Sequence, residues 1–103
     1  MVEAQQKLRA IATQKDRVAE AQGRVNQKTQ ELNELRQDQD RLRQNINNLR
    51  GLPGQEAQVN RYAAKLTEQE KTVETLQAAL TAERTNQRQA QAELDRMVTS
   101  LEI

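Results

Sequence analysis

A chain of 103 residues with 35% hydrophobic and 30% charged side chains and a net charge of +1 has room for one domain, but too little apolar material for a thick globular core. The single aromatic residue, Tyr62, leaves the chain without the large side chains that dominate compact cores, and the lack of cysteine and histidine removes disulfides, thiolate nucleophiles, imidazole bases and the usual zinc ligands. Charges of both signs are interleaved, so no global field favours a nucleic acid or an anionic membrane, and no apolar run approaches the roughly 20 residues that span a bilayer.

A polar chain of this kind could be disordered, but disorder has no reason to keep a strict apolar period. This chain keeps one. Steps of seven through the first half give Ala4, Ile11, Val18, Val25, Leu32, Gln39 and Ile46; a second row, three places on, gives Lys7, Gln14, Ala21, Lys28, Leu35, Leu42 and Leu49. These are the a and d rows of a coiled-coil helix, predicted over about 3–50. Gly23 falls on the outward face, where it costs about 1 kcal/mol relative to alanine without ending the helix.

The strong breakers cluster at 51–54. Gly51 suits a left-handed position just past a helix, Leu52 can fold back on the last turn, and Pro53 cannot continue the first helix but can open a second. Arg50 and Glu56 flank the bend with charges that oppose the local helix dipoles. A second helix over about 55–102 then carries Val59, Leu66, Val73, Leu80, Gln87, Leu94 and Leu101 in one row, with Tyr62, Gln69, Leu76, Glu83, Ala90 and Met97 in the other.

The expected fold is therefore all-α, one domain over 1–103: two long helices forming an antiparallel coiled-coil helical hairpin. Facing rows whose residue numbers sum to 108 pair Leu42 with Leu66, Leu35 with Val73, and Gln39 with Gln69. The two amides could satisfy each other and pin the register, or form a wet layer without a special role. A slip of one heptad would set Gln39 against Tyr62 and Gln69 against Leu32, leaving polar groups unpaired at about 1–3 kcal/mol each. The same register brings Arg36 near Glu70 and Arg17 near Glu93. Toward the open end Lys7, Gln14, Lys28, Glu83 and Gln87 interrupt the seam and should weaken it; Lys28 and Glu83 could pair across it or extend outward to water.

No residue forms a convincing catalytic, metal or cofactor site. A two-helix rod offers no concave pocket in which to desolvate a carboxylate, and neither a P-loop, GxGxxG nor EF-hand spacing occurs. The expectation is a non-enzyme without cofactor or small-molecule substrate, whose partner is a protein. That partner could be a second copy docking on the side that carries Ala57, Ala64, Ala78, Ala82 and Ala92, or at the open end, where Leu8 and Val98 leave apolar surface with Val2 and Ile103. Around the bend Arg36, Arg41, Arg43, Arg50, Arg61 and Lys65 outnumber Asp38, Asp40 and Glu56. A basic tip led by Arg43, Arg50 and Arg61 makes an RNA-binding arm the alternative, although nucleic-acid arms normally carry denser charge and more aromatics.

The stretch Asp40-Arg41-Leu42-Arg43-Gln44-Asn45, then Leu49-Arg50-Gly51, then Arg61-Tyr62 with Leu66 and Glu70, resembles the carboxyl-terminal coiled coil of large bacterial proteins grouped under a domain of unknown function and related in architecture to the mucoidy inhibitor A family. The resemblance covers most of the chain. It implies a hairpin that follows a β-rich region in a protein exported to the cell envelope, and it assigns no functional residues. Met1 begins inside the heptad pattern without an N-cap, and Ile103 stops just past an apolar layer, so both ends read as trimmed from a larger protein.

Overall fold

The computed structural model describes residues 2–101. Met1 and Ile103, on which the reading of trimmed ends rests, lie outside them. The molecule is an all-α helical hairpin of two long antiparallel helices: α1, Val2–Leu49, of 48 residues, and α2, Glu56–Thr99, of 44. Gly23 leaves α1 unbroken, and beyond its own turn of helix nothing lies within 4 Å of where its Cβ would stand. Among the described residues no helix is long and apolar enough to cross a membrane.

The bend occupies 50–55, one residue wider on each side than predicted, because it is built from two consecutive turns. Leu52 N–H donates to the Leu49 carbonyl at 3.1 Å, and Gln55 N–H donates to the Leu52 carbonyl at 3.4 Å. Each turn has a glycine at its third position with positive φ, +84° at Gly51 and +79° at Gly54, a region that costs an L-residue about 1–2 kcal/mol. Gly51 thus takes the left-handed place the sequence marks for it. Pro53 does not open α2. Its fixed φ serves the second position of the second turn, the proline-glycine arrangement of a type II turn. The first helical bond of α2 runs instead from Val59 N–H to the Gln55 carbonyl at 3.0 Å.

At its far end α2 stops at Thr99 rather than near 102, because its last turn tightens. Leu101 N–H reaches the Val98 carbonyl at 3.1 Å, and the Ser100 hydroxyl donates to the Met97 carbonyl at 2.9 Å, satisfying groups the helix leaves open.

Two compact units divide the hairpin, each with a stretch of both helices. The bend unit is Lys28–Ala79. Its core is Leu32, Leu42 and Ile46, of which Leu42 is only 1% exposed, and the facing rows of α2 from Val59 to Leu76 are half-buried or buried. The terminal unit comprises the described parts of Met1–Gln27 and Leu80–Ile103. Ile11, Ala21, Val25 and Leu80 are buried there, and every described residue before Ile11 is exposed, including the row members Ala4 and Lys7. In both units, burial follows the seven-residue rows.

Candidate interaction surfaces

Polar side chains in and beside the seam fix the register. In the terminal unit Arg24 Nε meets Glu83 Oε2 at 2.6 Å, Gln87 Nε2 donates to Gln22 Oε1, and Gln14 Nε2 donates to the Ala90 carbonyl at 2.8 Å. As numbers fall along α1 they rise along α2, which is antiparallel pairing. Arg24 with Glu83, Gln22 with Gln87 and, in the bend unit, Asp38 with Gln69 each lie within one place of the predicted sum of 108.

Several seam interruptions therefore differ from expectation. Gln14 is 5% exposed and bonds to backbone across the seam, so it fills its layer rather than opening it. Glu83 pairs with Arg24, while Lys28 turns along its own helix to Glu31 at 3.6 Å. Arg17 donates to Gln14 at 3.4 Å and Glu93 pairs with Arg96, so no ion pair joins Arg17 to Glu93, which the register only brings near each other. No ion pair joins Arg36 to Glu70, and both are exposed.

Gln39 and Gln69 are both buried, at 5% and 8% exposure, as their row positions require. They do not satisfy each other. Gln69 Nε2 donates to Asp38 Oδ2 at 2.5 Å, and Gln69 Oε1 is buried without a partner. Asp38 lies one place before Gln39, at the seam's edge, where a short carboxylate can reach inward while Arg41, one turn on, donates to it from Nε at 3.1 Å. Hydrogen bonds first from Arg41 and then from Gln69 hold the Asp38 carboxyl below its ordinary pKa, since both donate to the charged form. Arg96 does the same for Glu93 on the surface of the terminal unit.

Sequence reasoning missed Asp38, which it counted only as an acid offsetting the tip. The signal was there: an acid beside a buried amide position, one place from the predicted partner of Gln69. Among the described residues no group of three or more His, Cys, Asp or Glu is placed to hold a metal ion.

The residues expected at the surface are exposed. At the bend, Arg43 pairs with Asp40 at 3.3 Å, Arg61 donates to Gln58 Oε1, and Arg50 has no ion pair. Arg50 and Glu56 border a depression of about 150 Å3 over Leu49 and Val59, beside Leu52, which is 50% exposed. In the terminal unit Leu8 and Val98 are 58% and 42% exposed and Val2 is 67% exposed. An open groove in the bend unit runs beside Glu31, Glu34 and Asp38, with Leu35, Thr72 and Leu76 along it.

These surfaces define a helical hairpin whose chemistry is confined to helix faces and the bend. No family model, curated protein or solved structure matches the chain.

Proposed function

We propose that the chain is a non-enzymatic structural and protein-interaction module, a coiled-coil arm of a larger bacterial protein. The observation that carries this reading is the placement of its large apolar side chains. From Ile11 onward the heptad rows in both units are buried or half-buried, yet Val2, Leu8, Val98 and Leu52 remain open to contact. The depression at the bend, at about 150 Å3, is smaller than the roughly 300–1,000 Å3 of small-molecule sites. The larger groove beside Glu31, Glu34 and Asp38, at about 370 Å3, is an open surface channel rather than an enclosed pocket, and together these favour a protein partner. The resemblance around the bend extends the proposal to an arm following a β-rich region in a cell-envelope protein of the mucoidy inhibitor A type.

Fluorescence anisotropy with labelled RNA in about 0.15 M salt tests the reading. The arm should give no saturable RNA complex. Tight binding that weakens when Arg43, Arg50 and Arg61 are replaced by glutamine would replace the proposal with a nucleic-acid arm.

A further inference from the structure

Within the bend unit, α1 carries opposite charges along the two edges of its seam at the same spacing. Arg36 and Arg43 follow the d-row residues Leu35 and Leu42, and Arg50 follows Leu49; Glu31 and Asp38 precede the a-row residues Leu32 and Gln39. Positions just after d and just before a lie on opposite sides of a helical seam. Seven residues span about 10.5 Å of helix, so the interval between Arg36 and Arg43 equals that between Glu31 and Asp38.

The arginine edge and the Glu31 and Glu34 part of the acidic edge are available to a partner. Asp38 already accepts from Arg41 on Oδ1 and from Gln69 on Oδ2, and offers a partner only its remaining Oδ2 lone pair. Arg36 is exposed without an ion pair, and Arg43 holds only the exposed Asp40 at 3.3 Å, an exchangeable surface contact. On the acidic edge, Glu31 is met by Lys28 only at 3.6 Å, and Glu34 accepts one hydrogen bond from Gln30 at 3.1 Å, which leaves carboxylate lone pairs open. The groove beside them has apolar walls at Leu35 and Leu76, suited to the aliphatic stems of arginines, and the Thr72 hydroxyl is directed to the Glu68 carbonyl at 3.4 Å.

Resting on the arm reading above, we infer that the occupant of this groove is a second copy of the chain: Arg36 and Arg43 of one molecule seat against Glu31 and Asp38 of the next, with Glu34 alongside. The molecule itself carries the complementary charges at the matching interval. A nucleic acid fits the arginine row less well, because one guanidinium per 10.5 Å is sparse beside roughly one phosphate per 1.7 Å of duplex axis. Since the contact uses two different edges, it is heterologous and adds copies beyond a dimer.

Sedimentation of the whole chain at low ionic strength tests the inference. Wild type should show reversible, salt-sensitive species larger than a monomer. Arg36→Glu with Arg43→Glu, or Glu31→Lys with Glu34→Lys, should each weaken association by up to about thirtyfold, the effect of two exposed ion pairs at the upper end of their range. An equal mixture of the two variants should restore it, because each then offers an edge of the sign the other needs. Circular dichroism confirms that each variant is folded, and glutamine replaces the reversed charge in any variant that is not. A monomeric wild type, unchanged association in either variant, or a mixture that does not reassociate overturns the inference. A monomer that also ignores RNA leaves the arm reading standing, whereas RNA binding without self-association removes both.

Discussion

The bend unit and the terminal unit follow one heptad plan but are held by different forces. In the bend unit Leu32, Leu42 and Ile46 are buried against rows of aliphatic residues and Tyr62, with a single cross-helix polar bond, from Gln69 to Asp38. The terminal unit buries Ile11 and Leu80 with the smaller Ala21 and Val25, leaves the row members Ala4 and Lys7 exposed and, among the described residues, adds three cross-helix polar bonds through Gln14, Gln22 and Arg24. Apolar burial is strong but non-directional; hydrogen bonds contribute less and specify geometry. The bend unit should thus supply most of the stability, while the terminal unit holds register through directional contacts.

The sharpest way to break that comparison is to truncate one core residue in each unit. Leu42→Ala should cost about 3 kcal/mol, from lost burial plus the cavity left behind, and Ile11→Ala should cost less because its surroundings are more open. Urea unfolding followed by helical circular dichroism reads both. Equal losses would mean that the units are not differently held.

Glycine replacements come next and carry opposite signs. Gly51→Ala forces a left-handed conformation and should destabilise by about 1–2 kcal/mol, even though beyond its chain neighbours nothing lies within 4 Å of the new Cβ. Gly23→Ala, in mid-helix of the terminal unit and equally free of clashes, should stabilise by up to about 1 kcal/mol. Thermal midpoints of the two variants should move in opposite directions.

Gln69→Leu sharpens the comparison from the polar side of the bend unit. It removes the orphaned Oε1 and leaves Asp38 its bonds to Arg41, so stability should rise by about 1 kcal/mol. A loss of similar size would show that the bond to Asp38 outweighs the unsatisfied carbonyl. The smallest effect is expected from Arg24→Ala, whose pair with Glu83 is worth at most about 1 kcal/mol at a partly exposed site. That cost should shrink toward zero near 1 M salt, while the cost of Leu42→Ala should not.

Much of this was legible in the sequence, because a seven-residue apolar period tolerates little ambiguity and Gly51, Pro53 and Gly54 stand at its break. Burial at Gln39 and Gln69 also followed from row position alone. What the pattern could not show was the choice of partner. Whether Gln69 turns to Gln39 or to Asp38, and whether Glu83 takes Lys28 or Arg24, depends on side-chain reach and rotamer rather than on spacing. Pro53 was misplaced for a related reason: proline's φ suits both the start of a helix and the second position of a turn, and the positive φ of Gly54 decides between them.

The account depends most on the pairing of residues that sum to 108 within one molecule. The chain has no cysteine of its own, so a Leu42→Cys, Leu66→Cys variant treated with a short thiol–thiol crosslinker reads that register directly. Intramolecular crosslinking should be fast, and far slower in a Leu42→Cys, Val59→Cys variant, which reports a slip of one heptad. Crosslinks that form mainly between molecules, or faster in the slipped pair, would contradict the hairpin and its register together.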